Sequence, residues 1–198
     1  NNLAKINDII IRSRCKMKIW STDISKLYNQ LHLNDSSLPY GLFLFNKDMD
    51  PDKKPETFVM TRAWYGVTST GNQSGYALEE LARLLRPEYP AAYEVLSKDR
   101  YVDDVLSGAH TAEEVDQQVQ QVTDALATGG FQTKFIVKSG EKPEDIASTD
   151  GMSIKVLGYK WKTESDIYGP GFNELNFNKK KRGMKRPNPF PVVDPSDV

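Results

Sequence analysis

The sequence predicts an α+β fold, an antiparallel sheet with helices packed on one face. Three observations lead there: short extended runs alternate with three helical patterns, no strand–helix–strand repeat suggests a parallel sheet, and an apolar hairpin lies at the centre. The length of 198 residues is enough for one substantial core. At 38% hydrophobic and 27% charged, the composition is that of a soluble globular domain.

Leu3, Ile6, Asn7, Ile10 and Ile11 follow helical spacing, and a basic patch of Arg12, Arg14, Lys16 and Lys18 ends the segment. From Lys16 to Trp20 polar and apolar residues alternate, as in a half-buried strand that delivers the chain to Ser21-Thr-Asp23. Extended runs at Tyr40–Phe45 and Thr57–Thr61 flank the polar loop from Asn46 to Pro55. From Ser69 to Arg86 the pattern is helical, with Tyr76, Leu78, Leu81, Leu84 and Leu85 on one side and Pro87 as the stop.

Tyr101 to Leu106 reads as a hairpin with Asp103-Asp104 at or beside the bend. Thr111-Ala-Glu-Glu is a capping-box arrangement, and Val115, Val119, Val122 and Leu126 carry an amphipathic helix to the stop at Gly129-Gly130. Strands follow at Phe131–Lys138 and Ser153–Trp161, and the Pro-rich tail from Pro187 has no period.

Charge and rare residues narrow the chemistry. With 26 basic against 27 acidic residues, the net charge of -1 gives no global attraction to a polyanion, so any such partner needs a local basic surface. Lys179-Lys-Lys-Arg182 with Lys185 and Arg186 offers one, or is a solvated charge run. A single cysteine, Cys15, excludes an internal disulfide and a cysteine-based zinc site, and His32 and His110 leave little for imidazole ligation. No stretch reaches the length of a membrane span, and the polar start without Met suggests a piece of a longer chain.

Carboxylates are left to carry the chemistry. Two adjacent aspartates inside the apolar "KDRYVDDVLSG" (98–108) raise the free energy of the fold unless a cation or an exposed turn relieves them. Neighbours on a strand point to opposite faces, so one direct ligand and one supporting carboxylate are expected. Asp23, ending another strand, is expected to meet Asp103 across the sheet. Carboxylates without histidine suit hard Mg²⁺, and two such ions roughly 4 Å apart clamp the attacking and leaving oxygens of phosphoryl transfer.

Tyr-Val-Asp-Asp (101–104) in this setting resembles the Tyr-x-Asp-Asp signature of reverse transcriptases, and other motifs of that family follow in the same order. "STDISKLYNQLHL" (21–33) looks like the first palm motif, with Tyr28 as its aromatic residue. "RAWYGVTSTGNQSGYALEELA" (62–82) resembles the second, "GGFQTKF" (129–135) the fourth, and "VLGYKW" (156–161) the primer-grip hairpin. The lead-in "IIIRSRCKMKIWSTDISKLYNQL" and the form "YVDDVLSG" are most similar to the Bel/Pao class of long-terminal-repeat retrotransposon.

The resemblance implies a right-hand polymerase palm with a ferredoxin-like core and partial fingers over 1–178, followed by a basic, Pro-rich connector at 179–198 towards a thumb or RNase H region. It implies RNA- and DNA-directed DNA synthesis within a polyprotein that also carries protease, RNase H and integrase modules. The partners would be an RNA or DNA template with its primer and deoxyribonucleoside triphosphates, with no membrane. The setting would be cytoplasmic virus-like particles with later nuclear entry. Two plainer readings compete: a retroelement remnant that holds nucleic acid without copying it, and a structural polyprotein fragment.

Carried over by motif, Asp23 and Asp103 would be direct ligands of two Mg²⁺, or Mn²⁺, with the Ile24 carbonyl a further ligand and Asp104 in support. Tyr28 would stack under the deoxyribose and exclude a 2′-hydroxyl; its alternative is a core tyrosine. Gly66 and Ser69 through Gln73 would form the nucleotide and template floor. There Ser69-Thr70-Gly71 replaces the family's usual Ser-Pro, freeing the φ that proline would fix. Lys134 would protonate or neutralise the departing pyrophosphate, or is a surface lysine. Leu157, Gly158 and Tyr159 would hold the primer end, or form a strand with a bulge glycine.

Overall fold

The computed structural model describes residues 5–142 and 153–170. Leu3, the basic run at 179–182, Lys185, Arg186 and the Pro-rich tail therefore lie outside the described residues. Helix α1 (Ile6–Arg14) leads into strand β1 (Lys18–Ile24). A single turn α2 (Leu27–Gln30) and a 3-10 segment (Asp35–Gly41) precede the hairpin β2 (Leu42–Phe45) and β3 (Glu56–Val59). Helices α3 (Thr70–Leu84) and α4 (Pro90–Lys98) come next, then the short β4 (Arg100–Tyr101), β5 (Asp104–Ala109), α5 (Ala112–Thr128) and β6 (Thr133–Lys138). Strands β7 (Ile154–Val156), β8 (Tyr159–Lys162) and β9 (Ile167–Pro170) complete the described chain.

The predicted α+β class with antiparallel sheets is found, but the strands divide among three sheets rather than one. The central sheet has the order β4-β5-β1-β6, β2 pairs only with β3, and β7-β8-β9 form a third sheet. All pairings are antiparallel.

β1 is buried along almost its whole length because both faces of its sheet are covered. Trp20, Ile24, Val105 and Ala109 pack against the apolar sides of α3, α4 and α5, through Leu78, Leu96, Val122 and Leu126. Ile19, Leu106 and Val137 face the other way, onto Ile9 of α1 and Ile154, Val156 and Trp161 of the third sheet. The expectation of helices on one face is thus corrected: α1 and β7–β9 cover the second face. A strand buried on both sides loses the alternation that marks a half-exposed one, and β1 stays buried through Ser21 and Thr22 to Asp23, the carboxylate expected at the end of this strand.

The helix stripes also differ from expectation. On α3 the buried positions are Thr70, Ser74, Leu78 and Ala82, one turn apart, while Tyr76 and Leu84 are exposed. The small Thr70 and Ser74 fit there because their hydroxyls donate to backbone carbonyls, Thr70 to Trp64 at 3.1 Å and Ser74 to Gly71 at 2.9 Å. The capping box of α5 forms as read, with the Glu114 N–H donating to the Thr111 hydroxyl and the Glu114 carboxylate accepting from the Thr111 N–H. The run 153–161, read as strand with a hairpin at 156–161 by resemblance, folds into the β7–β8 hairpin around Leu157-Gly158.

Candidate active site

The local structure fixes Asp23 before any chemistry is considered. The two residues ahead of it are buried and bonded sideways: the Ser21 hydroxyl donates to the Val105 carbonyl of β5 at 2.9 Å, and the Thr22 hydroxyl to the Phe135 carbonyl of β6. Three residues of β1, Thr22 to Ile24, span four of β6, Ile136 to Thr133, a β-bulge beside Asp23. Bulges of this kind re-aim side chains at sheet edges. Here the extra residue on β6 lies next to Lys134, whose positive charge acts on both Asp23 and Asp104.

Asp103 and Asp104 are separated by the geometry of their hairpin. Tyr101 pairs with Asp104, leaving Val102-Asp103 as a two-residue turn. Val102 has φ +56°, a conformation that such turns normally give to glycine and that strains a β-branched residue. Strain of this kind persists only where the surroundings impose it, often at functional sites. Asp103 therefore sits in the turn and Asp104 opens β5.

Register decides which carboxylate faces Asp23. Asp23 is the cross-strand partner of Asp104, not of Asp103 as expected from the sequence. The Ile24 N–H donates to the Asp103 carbonyl at 2.8 Å, which makes that pair the hydrogen-bonded type and Asp23–Asp104 the closer, non-hydrogen-bonded type, with Cα atoms about 4.5 Å apart. Strand alternation sends both side chains to the face that carries Ile19 and Leu106, under the β7–β8 hairpin.

The electrostatics follow from this crowding. Burial pushes the Asp104 carboxyl up to about 6, helped by the charges of Asp103 and then Asp23; the Leu157 N–H, which donates to it, and Lys134 oppose the rise. Asp23 is raised by burial, with Lys134 opposing and Asp103 adding to the rise. Like charges held opposite one another destabilise a sheet unless something positive intervenes. An all-oxygen donor set with unrelieved negative charge fits a hard divalent cation. Among the described residues, however, no three His, Cys, Asp or Glu side chains are grouped as a ready-made cation site.

Tyr28, on α2, is half-buried. Its ring packs on Tyr65 with centroids 4.9 Å apart, and a Cβ on Gly71 would lie 3.6 Å from its hydroxyl. Its phenol is raised by burial, then by the Asp103 charge and Tyr65. The ring is therefore neither pure core nor remote from the carboxylates. Gly71 at the start of α3 brings the helix end up to it, while Gly66 (φ +92°), Ser69 and Gln73 are exposed around the same entry to α3.

Leu157 and Gly158 form the tip of the β7–β8 hairpin, both at positive φ (+52° and +81°), so they are a tight turn and not a bulge. Tyr159 stacks on Tyr168 of β9 at 5.3 Å, and the Tyr168 hydroxyl donates to the Val156 carbonyl at 2.9 Å. The Tyr168 phenol is pushed up by burial first, then by Tyr159 and Asp104. Tyr65, Tyr168 and Arg100 join the site without having been read from the sequence. Only Arg100 left a sequence signal, a charge on an apolar hairpin.

The chain matches no protein-family model and no curated protein. Among the described residues no helix is long and apolar enough to cross a membrane.

Proposed function

We propose that the chain is the palm of an RNA- and DNA-directed DNA polymerase, acting as one module of a retrotransposon polyprotein. The observation that carries this reading is the facing pair Asp23 and Asp104, with Asp103 in the adjoining strained turn and the half-buried ring of Tyr28 nearby. The reaction joins a primer 3′-hydroxyl oxygen to the α-phosphorus of a deoxyribonucleoside triphosphate and releases pyrophosphate.

Asp23, Asp103 and Asp104 would hold two Mg²⁺ or Mn²⁺ ions, which when bound supply the positive charge that lowers the hydroxyl pKa and stabilises the leaving oxygens. The protein's own part is positioning. The Ser21 and Thr22 bonds fix Asp23, and the Leu157 N–H holds Asp104. Lys134 supplies a fixed positive charge beside the carboxylates, suited to a departing pyrophosphate. Tyr28 and Gly71 form a wall beside the sugar, and the turn at Leu157-Gly158 faces the primer end. The module would work with template, primer, protease, RNase H and integrase neighbours in cytoplasmic particles.

Primer extension on an RNA template with Mg²⁺, by this chain and by the same chain extended at both ends, tests the reading. Extension by the longer protein is expected. Tight primer–template binding with no extension in either protein would favour the remnant that holds nucleic acid without copying it.

A further inference from the structure

Arg100 carries a positive charge into the apolar hairpin two residues before Val102. Its half-buried guanidinium is depressed in pKa by burial, with the charge of Glu79 opposing. A buried cation without a bonded carboxylate is costly, so the groups it does bond are informative. All three guanidinium nitrogens donate to backbone carbonyls of different elements. Nη1 donates to Val102 at 2.9 Å, Nη2 to Gly75 of α3 at 3.3 Å, and Nε to Leu96 of α4 at 3.3 Å.

These three carbonyls are not equivalent. Gly75 lies inside α3, where its carbonyl keeps a second lone pair for the helix ladder. Leu96 is in the last turn of α4, where carbonyls lack intrahelical partners, so Arg100 caps that end. Val102 is the residue at φ +56° in the turn that presents Asp103. The shortest of the three bonds thus goes to the most strained residue of the candidate site, from a side chain braced on the two helices behind it.

Resting on the palm reading above, we infer that Arg100 is a positioning residue: it pins the Val102–Asp103 turn against α3 and α4, so that Asp103 stays in place for a divalent cation shared with Asp23 and Asp104. Only a planar fork spans three acceptors in three directions. A lysine ammonium in its place keeps the charge but cannot bridge all three.

The test compares the parent with Arg100→Lys, Arg100→Met and a control, Arg83→Met, which removes an exposed arginine of α3 bonded to Glu80. Hydrogen exchange at the Ile24 amide, which donates to the Asp103 carbonyl, reports the turn, while the amides of Leu78 and Val122 report the helices. Mn²⁺ titration reports the site. Both Arg100 variants are expected to exchange at Ile24 at least tenfold faster and to bind Mn²⁺ at least tenfold more weakly, with the helix amides and the control at parent values.

Parent-like Ile24 exchange in both Arg100 variants would overturn the inference. So would an equal loss of protection across helices and sheet, the mark of a residue that only supports the fold. If Arg100→Met fails to fold, Arg100→Lys decides. If the parent itself binds no Mn²⁺, the palm reading fails, and the exchange comparison still decides whether Arg100 pins the turn.

Discussion

The backbone N–H of Leu157 donates to the carboxylate of Asp104, so the tip of the β7–β8 hairpin is bonded to the carboxylate pair of the central sheet. The bond joins two of the three sheets at the candidate site. It also supplies a donor that favours the charged form of Asp104, a half-buried carboxylate beside two like charges.

Crowding of Asp104 has a consequence for stability. Its folded pKa, about 6, lies above the ordinary carboxylate value, so the folded chain takes up a proton between the two. Its contribution is fully favourable below pH 4 and is lost as pH rises through 6. Asp104→Asn removes the charge and keeps an oxygen for the Leu157 N–H. The variant should be more stable than the parent at pH 7 by ~1–2 kcal/mol after allowance for solvent screening, with the gain vanishing near pH 4. Denaturant unfolding with chelator at both pH values checks this. A variant less stable than the parent by the same amount at both would contradict the crowding.

Gly108 pairs with Ile19 in the heart of the central sheet. A Cβ there would lie 2.4 Å from the Lys18 carbonyl oxygen, a backbone atom that cannot rotate away. Gly108→Ala should therefore cost about 2 kcal/mol or more, because the β1–β5 pairing must shift. Gly75→Ala, which meets nothing within 4 Å, is the comparison and should be neutral or slightly stabilising.

Elements whose signal is local were legible in the sequence. Thr111 with Glu114 announced α5, and Tyr101 to Leu106 announced a hairpin with Asp103-Asp104 at or beside its bend, which the pairing places at Val102-Asp103. Helix α4 carries its own start signal, Pro90 at its first position followed by Ala-Ala-Tyr-Glu-Val-Leu, but Pro87 just before it reads as the stop of α3 and masks it. The register that sets Asp23 against Asp104 depends on pairing between strands some 80 residues apart, which no short-range pattern encodes. The same holds for Tyr65 against Tyr28 and Arg100 against Gly75. The carboxylates could be named from residue type alone, but not their pairing.

Tyr28 provides a test of the proposed nucleotide pocket that leaves the carboxylates untouched. If its ring, wedged between Tyr65 and Gly71, fills the space beside the sugar 2′ position, Tyr28→Ala opens room for a ribose hydroxyl. The ratio of specificity constants for deoxyribonucleotide over ribonucleotide insertion should fall at least tenfold, about 1.4 kcal/mol. A Tyr28→Ala protein that polymerises with the parent's sugar preference would return Tyr28 to a packing role.

The central claim is that the carboxylates around Asp103 are a cation-dependent polymerase centre, and Asp103→Asn tests it most directly. In the chain extended at both ends, primer extension on an RNA template with Mg²⁺ should proceed in the parent and fall by several powers of ten in the variant, because a charged ligand is lost. Far-ultraviolet circular dichroism should be the same for both. Equal extension rates in the two proteins, or no extension by the parent at any Mg²⁺ or Mn²⁺ concentration, would contradict the account.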